Sequence, residues 1–430
     1  MEQTANRRLS TISRHLFISS NSPVPPNSDA SFFFHPVSSD ISSDFFRPVV
    51  IGGMVLDIHA KPHSRTRSGT TTPGKICYER GGVARNIAEC MTKLGTKPFM
   101  ISVIGNDMAG DVLLEHFKSS GLSTKGIMKS RNIATPVVLN VFDADGELSS
   151  GVASVEAVEL CLTREWICQF QHNISTAPIL LLDANLHLRS LEAACKTDFS
   201  TPVWFEPVSV TKSERISSIA KYITCVSPNE NELIAMANAL SSQTTFRNSI
   251  ESHWPIELSL QSLKPAINVL LEKGIRFVMV TLGSNGVLLC SRQGNPNIIC
   301  SNSKMGKTNP SYIRNPLYRY FLNDSRNYLF SQFFERLPNS DQQDRFPPYA
   351  LHFPAPVASV KSLTGAGDCL VGGFLASICA GLDTIQSMAV ALCTAKAAVE
   401  VEPNVPSAFV LEKIADEARQ ILFTARMFYL

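Results

Sequence analysis

From Pro48 onward, short apolar runs that end in Gly or Asp alternate with stretches of helical periodicity. Val49–Ile51 stops at Gly52-Gly53, 99–104 at Gly105, 179–182 at Asp183, and Phe277–Thr281 at Leu282-Gly283. Between them, 84–94 sets Ile87, Met91 and Leu94 on one stripe, and 266–271 runs to a stop at Gly274. A strand that is apolar throughout must be covered on both faces. The alternation therefore predicts an α/β fold, with a mostly parallel central sheet sandwiched between helices. Ligands on such sheets gather at the C-terminal ends of strands, where these Gly and Asp residues fall.

Two segments break the pattern. Residues 58–80 are polar, with His59, Lys61, His63, Arg65 and Arg67, and 136–142 before Asp143-Ala144-Asp145-Gly146 reads as a hairpin strand and its turn. Together, over about 58–80 and 131–155, they predict a small sheet that projects as a lid. Residues 293–352 are long, aromatic and polar, and read as an insertion.

Composition narrows the class. Of 430 residues, 44% are hydrophobic and 18% charged, which suffices for a large core. Lys plus Arg is 39 against 37 for Asp plus Glu, so bulk-charge binding of nucleic acid is disfavoured. No run reaches the roughly 18 apolar residues of a membrane span. The 11 cysteines show no C-x-x-C and no metal-ligand spacing, the pattern of reduced thiols in an intracellular compartment.

Residues 1–44 differ from the body, 45–430. They are rich in Ser and Pro, poor in acids, and carry Arg7, Arg8 and Arg14. That composition suits a disordered tail or a transit peptide for mitochondrion or plastid. A sharper match is Arg8-Leu9, five residues, then His15-Leu16, which resembles the R-L-x5-H-L type-2 peroxisomal signal. Leu9, Ile12 and Leu16 would share one helix face. The expected partner is then the peroxisomal import receptor; the C-terminal Leu430 does not end an S-K-L address.

Five constellations carry the chemistry. Thr364-Gly365-Ala366-Gly367-Asp368 opens an apolar helix, where glycines leave backbone N–H groups free for an anion. Asp368 is either the helix N-cap or a base beside that anion. Gly81-Gly82 enter a second helix with Asn86 one turn in, for a ligand or simply a turn. Asp57 follows the Gly52-Gly53 strand end and is either a sugar-hydroxyl acceptor or a loop residue. Asn229 and Glu232 are three apart, on one ligand or in a capping box. Thr281, Gly283 and Gly286 form a turn that flanks phosphate or is a plain β-turn. No Walker G-x-x-x-x-G-K-[ST] is present, against a P-loop kinase.

In this order and spacing, the five resemble the PfkB (ribokinase-like) carbohydrate and nucleoside kinases over 48–410. The resemblance implies a three-layer α/β/α sandwich with a small β lid, and transfer of the γ-phosphate of ATP, with Mg2+, to a primary hydroxyl. It implies Asp368 as catalytic base, with Gly365, Ala366 and Gly367 as its anion hole. Asp57, Gly81, Gly82 and Asn86 would bind the sugar, Asn229, Thr281, Gly283 and Gly286 the nucleotide, and Glu232 the metal. Ser362 stands where the family often has a first carboxylate, which weakens a monovalent-cation (K+) site. Within the family the finer likeness is to the pseudouridine kinases, on Pro73-Gly74-Lys75-Ile76 leading into Gly81-Gly82-Val83-Ala84-Arg85-Asn86-Ile87-Ala88-Glu89, Asp183-Ala184-Asn185-Leu186, Phe205-Glu206-Pro207-Val208-Ser209 and Leu363-Thr364. Asn185 would then meet a ribose hydroxyl or the uracil edge, or make a strand-end turn. Thr135 and Asn140 would cover the nucleoside from the lid, and the lid's outer face is a candidate homodimer surface. The alternatives are a kinase for ribose, fructose or uridine, or an inactive member acting as a scaffold.

Overall fold

The computed structural model describes residues 47–67, 69–143, 148–241, 245–247, 254–292, 315–317, 320 and 347–430. The chain divides into two units, Met1–Ser43 and Asp44–Leu430. The first unit lies outside the described residues, and with it the Arg8-to-Leu16 signal.

The central sheet has ten strands. They are β1 Val49–Ile51, β4 Phe99–Gly105, β5 Ile127–Ser130, β8 Leu180–Asp183, β9 Val203–Glu206, β10 Cys225–Val226, β11 Phe277–Thr281, β12 Val287–Ser291, β13 Tyr349–Phe353 and β14 Arg426–Tyr429. Their order is β14-β13-β12-β11-β10-β9-β8-β1-β4-β5. Pairing is parallel from β11 through β5 and antiparallel across β11, β12, β13 and β14. The expected parallel-rich sheet is present, with an antiparallel edge.

Side chains alternate between two cores, as the strand period of two requires. Val50, Met100, Ile104 and Met279 face one cluster; Val49, Ile51, Ile101, Val103 and Val280 face the other. The first core is roofed by α1 Val83–Lys93, α2 Met108–Ser119, α6 Ala366–Cys379, α7 Thr384–Val399 and α8 Leu411–Leu422. The second is roofed by α3 Leu188–Thr197, α4 Glu230–Leu240 and α5 Ile256–Glu272. The result is a three-layer α/β/α sandwich. Ile87, Met91 and Leu94 are fully buried, as their stripe predicted. Each contributes about 1.5–3 kcal/mol of burial.

The lid is a four-stranded sheet in the order β3-β2-β6-β7. Its strands are β2 Val55–Pro62, β3 Gly74–Gly81, β6 Val137–Phe142 and β7 Leu148–Ser154. It begins earlier than the polar segment suggested, because only three residues separate the end of β1 from the start of β2. The hairpin turn at 144–147 lies outside the described residues.

The insertion is shorter at its C-terminal end than its composition implied. Residues 349–352 belong to β13, a buried strand in which these four residues are paired on both sides and whose flanking prolines hid it. Within the insertion, Asn315 donates to Thr96 Oγ1 at 3.2 Å, and Leu317 is buried in the first core. The C-terminal residues, read only as an absent address, form the edge strand β14.

Candidate active site

α6 is apolar and small because it runs between two helices at close range. A Cβ on Gly372 would lie 2.7 Å from Cys90 Cβ on α1, and one on Gly373 would strike Thr394 on α7. This packing fixes where the mouth of α6 points. Gly365 is its N-cap, in the left-handed region at φ 80, and makes no side-chain cap. First-turn N–H groups have no intrahelical acceptor, and the space beside Gly367 is open. The Ala366 N–H leans back toward Leu363 O at 3.4 Å.

Asp368 lies in the first turn and does not cap the helix, so the N-cap reading fails. Instead its Oδ2 accepts from Asn86 Nδ2 at 2.6 Å. Asn86 stands in the first turn of α1, launched by Gly82, whose φ of 94 would strain any side chain. The early glycine pair and the late Gly-Ala-Gly-Asp therefore meet at one place.

Asp57 is not a loop residue. It sits in β2 of the lid, paired with Glu79, where Gly81 is kept bare because a Cβ there would run into its carboxylate. Asn404 donates to Asp57 Oδ2 at 3.3 Å and to Arg80 O at 3.2 Å. No motif marked Asn404 in the sequence. Asp183, at the end of β8, is fully buried and takes the Gly53 and Asn185 N–H groups, each at 2.9 Å. It thereby holds the turn between β1 and the lid. Asn185 Oδ1 accepts from Lys212, a second residue that sequence reasoning did not single out. The Thr135 hydroxyl, expected to cover a nucleoside, is hydrogen-bonded within the fold. It donates to Asp107 at 2.6 Å and accepts from Gly105 N at 2.8 Å, which closes the start of α2. Asn140 is half-buried in β6, paired with Gly151.

Asn229 and Glu232 form a reciprocal capping box on α4, with both bonds at 2.9 Å. Asn229 also bridges to Thr281, and Thr281 N donates to Pro228 O at 3.0 Å. This joins the N-x-x-E segment to the Thr281–Gly286 turn, where the side of Gly283 is open. Gly286 has φ 89, and a Cβ there would strike the Phe353 carbonyl. Between these parts lies Glu206, at the end of β9, accepting from Ser227, which in turn accepts from Trp204 Nε1 at 2.7 Å. The sequence had noted Glu206 only as part of a likeness.

Carboxylates thus crowd the C-terminal ends of the strands. Burial raises the Asp368 carboxyl to about 6, opposed by the Asn86 hydrogen bond and Arg85 and aided by Asp183 and Asp57. Burial also raises Asp57, Asp183 and Glu232, and holds Glu206 well above the usual range. Glu206 feels Asp368, Glu232 and Asp183 as well. Such a site favours proton acceptance at one carboxylate and a cation near the others.

An open helix mouth, a carboxylate beside it and a small β-sheet lid are the parts that phosphoryl transfer to a small molecule calls for. Residues 47–306 match the pfkB family carbohydrate kinases, and the chain belongs to that family. It is 49% identical over 394 residues to a pseudouridine kinase of Arabidopsis thaliana, covering 88% of this chain and 97% of that one. A pseudouridine kinase of Escherichia coli is 27% identical over 184 residues, covering 43% of this chain and 58% of that one. In three dimensions it is similar to a carbohydrate kinase from Agrobacterium tumefaciens (TM-score 0.59, 19% identity, 89% and 100% of the two chains). It is also similar to Arabidopsis thaliana ribokinase complexed with ribose and ATP (TM-score 0.57, 17% identity, 88% and 99%). The protein is an ATP-dependent kinase that acts on a nucleoside or sugar hydroxyl, with the ATP and Mg2+ use typical of its family.

Proposed function

We propose that the acceptor is pseudouridine and the product pseudouridine 5′-phosphate. The observation that carries this reading is the Asn86–Asp368 contact at the mouth of α6 in a chain 49% identical to a pseudouridine kinase. Asp368 takes the proton of the 5′-hydroxyl as O5′ bonds to the γ-phosphorus and the bond to the β,γ-bridging oxygen breaks, releasing ADP. Gly365, Ala366 and Gly367 present N–H donors to the transferring phosphoryl oxygens. Asp57, Gly81, Gly82 and Asn86 hold the ribose, while Asn185, with Lys212 beside it, meets the base. Asn229, Thr281, Gly283 and Gly286 flank the nucleotide.

Glu232 suits a hydrated Mg2+. Its Oε2 is spent on the Asn229 N–H, and its Oε1 makes no hydrogen bond among the described residues. No group of three or more metal-ligating side chains occurs among the described residues. Mg2+ needs only one or two carboxylates besides phosphate oxygens and water. Bound there, Mg2+ would neutralise charge on the phosphates. Ser362 Oγ takes the Thr364 N–H at 3.2 Å, so a K+ ion near α6 would lack a carboxylate at this position.

The test is an acceptor panel with the purified full chain, ATP and Mg2+. Pseudouridine should exceed uridine, ribose and fructose in kcat/KM by about tenfold or more, the factor that follows from leaving one buried polar group unpaired. Equal rates with ribose or fructose reject the proposal.

Two further parts of the proposal concern assembly and location. The lid's outer face carries Ile76 (60% exposed) and the cross-strand pair Leu139 and Val152 (68% exposed for Val152), which suits a second copy of the chain. Val152→Asp should convert a dimer to a monomer in sedimentation; an unchanged mass rejects that face. Arg8-Leu9 and His15-Leu16 would direct the chain to peroxisomes through the import receptor. Fusions with and without residues 1–44 test this, and mitochondrial or plastid fluorescence would overturn it.

A further inference from the structure

The side-chain amide of Asn86 is committed at both ends. Oδ1 accepts from Arg85 Nη2, and Nδ2 donates to Asp368 Oδ2. A half-turn of this amide would set its oxygen against the Asp368 carboxylate and its NH2 against a guanidinium, a mismatch at each end. Arg85 therefore decides which end of Asn86 faces the base. Arg85 is itself pinned: Nε donates to Gly81 O at 2.9 Å, Nη2 also to Arg80 O, and Nη1 pairs with Glu89. It is only 2% exposed, in the seam between β3 and α1. Glu89 is held in turn by Lys93 at 2.6 Å and His116 at 3.2 Å. Burying such a pair costs desolvation that an apolar pair of similar volume avoids. The kinase reading leaves Arg85 and Glu89 without a task.

We propose that the Arg85–Glu89 pair is a positioning device that locks the Asn86 amide and through it aims the Asp368 carboxylate at the acceptor hydroxyl. The proposal rests on Asp368 as the base. Arg85 and Glu89 do not touch substrate; they act through Asn86. A fork with fixed planar geometry is needed, because Nε and Nη2 grip the Gly81 and Arg80 carbonyls and Nη2 also reaches Asn86, while Nη1 is held by Glu89.

Arg85→Lys keeps the charge opposite Glu89 but cannot make the fork. It should fold, keep its KM for ATP, and lose kcat about tenfold to a hundredfold, the usual cost of a misaimed catalytic group. The double variant Arg85→Met with Glu89→Leu removes the ion pair without leaving a lone buried charge, and should lose kcat to the same degree. If either folded variant retains kcat within twofold, the positioning role is overturned and the pair merely closes the seam. Asp368→Asn in the same series separates this failure from that of the base. Turnover retained by Asp368→Asn sinks the base reading, whereas turnover lost there and retained by Arg85→Lys sinks only the positioning.

Discussion

Asn404 donates its side-chain amide to Asp57 Oδ2 at 3.3 Å, while its own backbone carbonyl closes over Gly365. One residue thus couples the lid strand that carries Asp57 to the mouth of α6. Asn404→Ala keeps the carbonyl and removes the amide. Loss of a hydrogen bond to a charged group costs about 1–3 kcal/mol. The nucleoside KM should rise about tenfold with little change in the ATP KM, measured by steady-state kinetics. An altered ATP KM alone would contradict the assignment.

Gly365 is the residue on which the helix mouth depends. Its φ of 80 and the Asn404 carbonyl leave no place for a Cβ. Gly365→Ala should cost about 1–3 kcal/mol of stability from backbone strain, before any clash is counted. Turnover should fall further than stability alone explains, because the first-turn N–H groups proposed to hold the phosphoryl oxygens move. Gly283→Ala is the comparison: its φ is also positive, at 55, but its side is open, so the strain comes without the collision. Thermal melts and kcat of the two variants check this, with Gly365→Ala expected to be the worse in both.

The Asp368 carboxyl, raised to about 6 by burial, makes stability depend on pH with a definite sign. An acid whose folded value lies above its unfolded value near 3.8 binds its proton more tightly in the folded chain. Its contribution therefore favours folding at low pH and turns against folding as pH rises through the window from 3.8 to about 6. Asp368→Asn should melt higher than wild type at pH 8, by about 2 °C or more, and the gap should shrink at pH 5. A gap that widens on acidification would contradict the burial of this carboxyl.

Glu206 makes a contrasting case. Burial raises its carboxyl well above the usual range, with Asp368, Glu232 and Asp183 adding to the shift, so the fold favours its protonated form. Glu206→Gln preserves shape and hydrogen-bonding capacity, and should change stability by about 1 kcal/mol or less. Denaturant midpoints at pH 7 measure this; a large loss would mean that the folded protein requires the charge.

The alternation of apolar strands and helical stripes was enough to read the sandwich, because β1, β4, β8 and β11 are punctuated by Gly or Asp at or just past their ends. β13 escaped because its five residues lie between prolines in a segment dominated by polar and aromatic residues, and β14 because a short edge strand carries no pattern of its own. At the site, Asn86 and Asp368 were legible since each stands beside paired glycines. Asp57 was legible as a carboxylate but misplaced, because a strand that starts so soon after another looks like its loop. Asn404, Lys212 and the Arg85–Glu89 pair act through contacts 27 to 347 residues apart, or through a plain i,i+4 spacing, and neither leaves a mark in a local window. The capping box of Asn229 and Glu232 was visible from the start, with its second use left open.

ADP formation from ATP and pseudouridine, run in parallel for the wild type and Asp368→Asn with ATP affinity measured by calorimetry, is the decisive measurement. Removing a general base costs about a hundredfold to ten-thousandfold, so turnover should fall by that factor while ATP binds as before. Turnover that survives within a few fold, or a wild type that makes no ADP with any nucleoside or sugar, would contradict Asp368 as the group that deprotonates the acceptor.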